Sequence, residues 1–130
     1  MESKLQRLIE RYQQGERMFH GWDLSGCDLS HLQLSEIDLS YSVLSQACLI
    51  GTDLEWAILR DVNLTSANLT HAHLHRANLR RANLTTATLK QADLRAADLS
   101  GATIVNTVFA DSNLWGAIAP NGLSPLQQVR

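Results

Sequence analysis

From Leu24 onward every fifth residue of this chain is leucine as far as Leu99, and the series runs on through Ile104, Phe109, Leu114 and Ala119 without an insertion. No ordinary element can bury a set with that spacing. On an α-helix a step of five turns each leucine about 140° from the last, and on a straight strand an odd step sends successive leucines to opposite faces. Each pentad must therefore carry its own change of direction, a short extended piece followed by a corner. The central residue and the one two before it then point inward, while the other three point outward. Four such sides close a square coil of about 20 residues, and successive coils stack about 4.8 Å apart with parallel hydrogen bonding.

The rest of the pentad agrees with this frame. Two residues before the centre the chain prefers alanine, at positions 47, 57, 67, 72, 77, 82, 87, 92, 97, 102 and 117, and one before it prefers Asp or Asn. Corners need residues tolerant of positive φ, and Gly21, Gly26, Gly51, Gly101 and Gly116 all fall two positions after a centre. Leu24, Leu44, Leu64, Leu74, Leu84 and Phe109 are expected in the core, each buried leucine contributing about 1.5 to 3 kcal/mol. The fold class expected is an all-β solenoid of about five coils, roughly 20 to 25 Å tall, with a helix at its N-terminus.

The pentads ANLTH, ANLRR, ANLTT, ADLRA and ADLSG resemble the A(D/N)LXX motif of the pentapeptide-repeat family, many of whose members are cyanobacterial. The resemblance covers about 100 of the 130 residues and implies a right-handed quadrilateral parallel β-helix. It implies much less about function. Most members of that family have no known activity, and a minority bind DNA topoisomerases with a rod that resembles a DNA duplex.

A length of 130 residues fits one domain. Its expected parts are an N-terminal capping helix and connector at 1–18, a pentapeptide-repeat β-helix at 19–120, and a C-terminal tail or cap at 121–130. Ser3 and Gln6 fit a capping box, and Leu5, Leu8, Ile9 and Tyr12 form one apolar stripe, so residues 3–14 are read as the helix. The first coil should meet that stripe with Trp22, Cys27, Leu32 and Ile37, which stand where later coils have small residues. At the other end Phe109, Trp115, Ile118 and Pro120 break the pattern, beside outward Val105 and Val108. An apolar end of that kind either lies under its own tail or is buried in a twin, giving a homodimer through the C-terminal coil. No apolar run approaches a signal core or a membrane span, and Cys27 and Cys48 fit neither a disulfide framework nor a zinc-ligand spacing, so a cytoplasmic protein with free thiols and no membrane partner is expected.

Charge is unevenly spread. Residues 1–59 carry 4 basic and 9 acidic side chains, whereas residues 60–95 carry 6 basic and 2 acidic. With a period of 20, Arg60 and Arg80 stack on one face, with Arg76 and Arg81 on its corners, and such a patch suits a phosphate or an acidic protein surface. Asp61 and Asp98 offer the alternative of a solvated ladder of ion pairs. Direct nucleic-acid binding is not expected, because no outward aromatic ladder accompanies the arginines. On another face Asp53, His73 and Asp93 form one column and Glu55, His75 and Arg95 the next. His73 and His75 with Asp53 and Asp93 have the ligand types for a divalent metal such as zinc, yet a flat ladder splays side chains apart. Ser25, Ser45, Thr65 and Thr85 read as a structural hydroxyl ladder. No catalytic constellation and no cofactor motif emerges, so the expectation is a non-catalytic protein-interaction or structural module. Its contact candidates are Arg60, Arg76, Arg80, Arg81 and Trp115, and its partner is an unidentified protein. The alternative is DNA mimicry toward a type II topoisomerase, with metal binding at His73 and His75 as a minor third reading.

Overall fold

The computed structural model describes residues 2–122. Seventeen β-bridges, every one parallel and every one joining residues twenty apart, run from Met18 with Asp38 to Asp98 with Ile118. Each side of the coil contributes a single bridged residue before the chain turns, which is why no side extends into a conventional strand. The centre series begins one pentad earlier than its first leucine, because Phe19 is a fully buried centre whose flanking residue Met18 already bridges to the coil below.

The five backbone N–H groups of a pentad account for the A(D/N)LXX pattern. In the pentad around Leu64, the Leu64 N–H donates to Asn83 O at 2.8 Å, the Ser66 N–H to Thr85 O at 2.9 Å, the Asn68 N–H to Ala47 O at 3.0 Å, and the Ala67 N–H closes the corner on Leu64 O at 3.0 Å. Three of these tie the coil to its neighbours and one makes the turn. The fifth, on the residue after the centre, has no backbone acceptor. Asn63 Oδ1 accepts it from Thr65 at 3.0 Å, and each of the eleven Asp or Asn residues that precede a centre does the same for its own pentad. Asn or Asp is thus the side chain that completes the accounting. Asn83→Ala, which strands the Thr85 N–H and removes the acceptor of the Thr85 hydroxyl, is expected to cost about 1 kcal/mol of stability, read from a denaturant midpoint.

The corners take left-handed backbone. Fifteen non-glycine residues and the five expected glycines occupy the position two after a centre, all with positive φ, and the N–H three beyond the centre usually returns to the centre carbonyl. That combination is the type II turn. Gly51 is needed for a second reason, since a Cβ there would stand 2.6 Å from the His31 ring that lies over it. The alanines before the centres, like the leucines at Leu24, Leu44, Leu64, Leu74 and Leu84, are buried in one continuous cluster. In the last coil burial is uneven: Leu114 and Ala117 are buried, but Phe109 is only half-buried, and Ile104, on the same register as Leu84, is 43% exposed.

Helix α1 spans Lys4–Gln13, and its capping box on Ser3 and Gln6 is formed in both directions. Its apolar stripe turns onto the first coil. Leu8 is fully buried, Leu5 and Tyr12 pack against the same cluster as Trp22, Cys27 and Leu32, and the Tyr12 hydroxyl donates to Ser35 O at 2.8 Å. Of the C-terminal segment 121–130, all but Asn121 and Gly122 lies outside the described residues.

Candidate interaction face

Four flat faces result, and the one carrying the centres Phe19, Leu39, Leu59, Leu79 and Leu99 holds the arginines. Arg60 and Arg80 project from its middle. One edge carries Trp56 above Arg76, and the other carries Tyr41, Asp61 and Arg81 in a column. The four arginines differ in what they touch. Arg81 grips Asp61 of the coil above through Nε to Oδ1 at 3.0 Å and Nη2 to Oδ2 at 2.9 Å. This grip holds the Asp61 carboxyl below its ordinary range and raises Arg81. Arg80 reaches Asp98 at 3.3 Å. Arg76 lies over the Trp56 ring, its Cζ 5.0 Å from the centroid. Arg60 has no ion pair among the described residues, and its Nε is buried without a hydrogen-bond partner there.

Sequence reasoning missed Tyr41 and Trp56. Both occupy left-handed corners, at φ 64 and 62, and are 61% and 54% exposed. The signal was present in the pattern, as two bulky rings at a position filled elsewhere by glycine, alanine or polar side chains. Trp115 is also exposed, at 58%, but it sits below Arg95 on the face of Leu74 and Leu94, in the last coil. The structure does not bring it to the arginines.

That same face holds the histidine columns. Asp53, His73 and Asp93 are stacked through their bridges, but the carboxylates are otherwise engaged. Asp93 takes two hydrogen bonds from Arg95, at 2.8 and 2.7 Å, and its carboxyl is held below the ordinary range by them. Asp53 Oδ1 accepts the Glu55 N–H at 3.0 Å. His73 and His75 are not joined by a third ligand, and among the described residues no group of three or more His, Cys, Asp or Glu side chains converges to hold a metal. Of the hydroxyl column, Ser25 and Thr85 bond to Asp23 and Asn83 of their own pentads. A hollow of about 260 Å³ lies between α1 and Leu32, Ser35 and Asp53. An open groove of about 360 Å³ beside it runs past His31, Glu55 and His73. Neither aligns a nucleophile with a base. No helix among the described residues is long and apolar enough to cross a membrane.

The family model for pentapeptide repeats matches in eight copies over residues 19–55, 47–85, 57–95 and 77–116. The chain belongs to the pentapeptide-repeat family. Its members fold as right-handed quadrilateral β-helices and are typically structural or interaction proteins. Among solved structures, a pentapeptide repeat protein from the Arabidopsis thaliana thylakoid lumen is 39% identical with a TM-score of 0.60, over 75% of this chain. This chain spans 64% of the Arabidopsis protein's length. A pentapeptide repeat protein from the cyanobacterium Nostoc PCC 7120 is 40% identical over 71% of this chain and 78% of its own, at a TM-score of 0.43. QnrB1, a plasmid-mediated fluoroquinolone resistance protein, is 20% identical over 79% and 64%, at 0.47. The sequence matches no curated protein.

Proposed function

We propose that this pentapeptide-repeat protein is a non-catalytic interaction module, a rigid rod that presents flat faces to a protein partner. The observation that carries the reading is the first face, where guanidinium groups are fixed on a hydrogen-bonded frame and two of them, Arg60 and Arg76, have no carboxylate of their own within the described residues. The rod comprises about five coils over 19–120, since bridges from Met18 to Ile118 span five steps of twenty. Helix α1 and its connector, 1–18, close its N-terminal end, for which the burial of Leu8 and the packing of Leu5 and Tyr12 speak. A second contact area is the last coil, where Ile104, Val105, Val108 and Trp115 are each exposed and where a homodimer would form. The free thiols Cys27 and Cys48 fit a cytoplasmic location.

Duplex mimicry toward a type II topoisomerase requires a broadly acidic rod, and the 6 basic against 2 acidic side chains of residues 60–95 oppose it. Affinity capture with the wild type beside Arg60→Glu/Arg76→Glu and Val108→Asp variants tests the reading. A specific protein is expected with the wild type and is lost with one of the two variants. Capture of no specific protein, or inhibition of a topoisomerase's supercoiling activity by the wild type and both variants alike, would overturn it. Arg80 and Arg81 are left unchanged because glutamate there would face Asp98 and Asp61.

A further inference from the structure

We propose that the first face, between Trp56 and Tyr41, docks an acidic, extended segment of a partner protein, with its carboxylates on Arg60 and Arg76 and an apolar side chain against Trp56 and Ile58. This rests on the interaction-module reading and gives it a ligand chemistry.

The pentad Trp56 to Arg60 carries a ring at its corner and an isoleucine before its centre. A bulky ring at a left-handed corner costs about 1 to 3 kcal/mol of backbone strain relative to a permissive residue. Of the twenty corners only two carry a tyrosine, tryptophan or phenylalanine, and those are Tyr41 and Trp56. Neither ring repays that strain by entering the core, because both are more than half exposed. Ile58 stands where Asp or Asn caps the following N–H, so the Arg60 N–H lacks the side-chain acceptor that Arg80 finds in Asn78. Exposed tyrosine and tryptophan rings on left-handed corners, found at the two edges of this face and at no other corner from 21 to 116, mark a surface kept for something other than folding.

The residue types define what fits. Tryptophan, tyrosine and arginine are the side chains that dominate binding energy at protein interfaces. Arg76 lies over the Trp56 ring, and Arg60 is walled in at Nε, so both guanidinium groups are positioned before a partner arrives and lose little freedom on binding. Each can take a carboxylate in two-point fashion. A nucleic-acid strand fits less well. The charges of Arg80 and Arg81 are already spent on Asp98 and Asp61, and those carboxylates, with Asp38 paired to His20, lie on the same face. A phosphate backbone would cross them, whereas a peptide can space its acids to meet two arginines and keep apolar residues elsewhere. The face is a flat parallel ladder, which favours an extended segment.

The test titrates the full chain into a fluorescein-labelled peptide of glutamates interspersed with phenylalanines, beside its glutamine counterpart and a labelled single-stranded oligonucleotide. The wild type is expected to bind the glutamate peptide, and to bind it more weakly as salt rises. Arg60→Gln/Arg76→Gln should weaken it by roughly tenfold or more. Tyr41→Gly/Trp56→Gly, which relieves both strained corners, should weaken it without lowering the melting temperature by more than a few degrees, so that a binding loss is not a folding loss. Equal binding of the glutamine peptide, stronger binding of the oligonucleotide, or indifference to both variants would overturn the proposal. So would a concentration-dependent dimer abolished by Arg60→Gln/Arg76→Gln, since the occupant would then be a second copy. If the glutamate peptide fails while Arg60→Glu/Arg76→Glu still loses a captured protein, the docking of an acidic segment is wrong and the interaction module stands.

Discussion

Leu74→Arg is expected to yield no native column, with the ordered far-UV circular dichroism and the cooperative melt of the wild type both lost. Leu74 is fully buried between Leu54 and Leu94, and its coil is bonded above and below, the Leu74 N–H to Asp93 O at 2.7 Å and the His73 N–H to Thr52 O at 2.9 Å. A middle coil cannot swing away to hydrate a charge without breaking both neighbours. The substitution loses about 1.5 to 3 kcal/mol of apolar burial and adds several kcal/mol for an unpaired buried charge, against a total of about 5 to 15 kcal/mol for a domain. Ile104→Arg makes the same change at a centre that is 43% exposed and is expected to cost less than about 1 kcal/mol. A soluble Leu74→Arg protein that melts like the wild type would refute the register.

Acid should unfold the column. Among the described residues six carboxyls are held below their ordinary range: Asp23 and Asp28 by hydrogen bonds from Ser25 and Ser30, Asp61 and Asp93 by Arg81 and Arg95. At Asp38 and Asp98 burial pushes the other way, and the hydrogen bonds of Ser40 and His20, and of Ser100 and Arg80, together outweigh it. Among the described residues only the Glu10 carboxyl is pushed up, by its hydrogen bond with Glu2. For a carboxyl depressed in the folded state, the stability is fully present above the unfolded value, near 3.9, and drains away as pH falls through the lower folded value. The melting temperature should therefore be nearly level from pH 7 to about 5 and fall steeply below about 4. Ser30→Ala removes the main cause of the Asp28 shift, so it should lower the melting temperature at neutral pH and narrow the gap between neutral and acid values. A melting temperature that holds steady below pH 3 would contradict the role of these carboxyls.

How far the sequence could be read depended on whether a residue's role repeats. The inward leucines, the alanines before them and the corners fall at multiples of five positions, so a wrong guess about their direction would have to be wrong throughout. The preference for Asp or Asn before the centre was visible as a pattern, but its reason was not. It needs the observation that one N–H in five has no backbone acceptor, which is a property of the folded coil. The arginines illustrate the opposite limit. Arg60, Arg76, Arg80 and Arg81 look alike as text, and the period places them on one face. Which of them is engaged depends on where Asp61 and Asp98 extend their carboxylates across the coils, and that is settled by side-chain reach.

The ends show the same division. Ile104 and Phe109 share the register of Leu84 and Leu89 and read as core, yet they are exposed or half-buried, while Leu114 and Ala117 of the same coil are buried. The sequence by itself determined the period, the direction of each side chain and the square coil, because a fivefold step in buried residues admits no simpler backbone. Tertiary structure alone decided which guanidinium groups lack a carboxylate among the described residues and which rings face water, because those depend on neighbours twenty residues away.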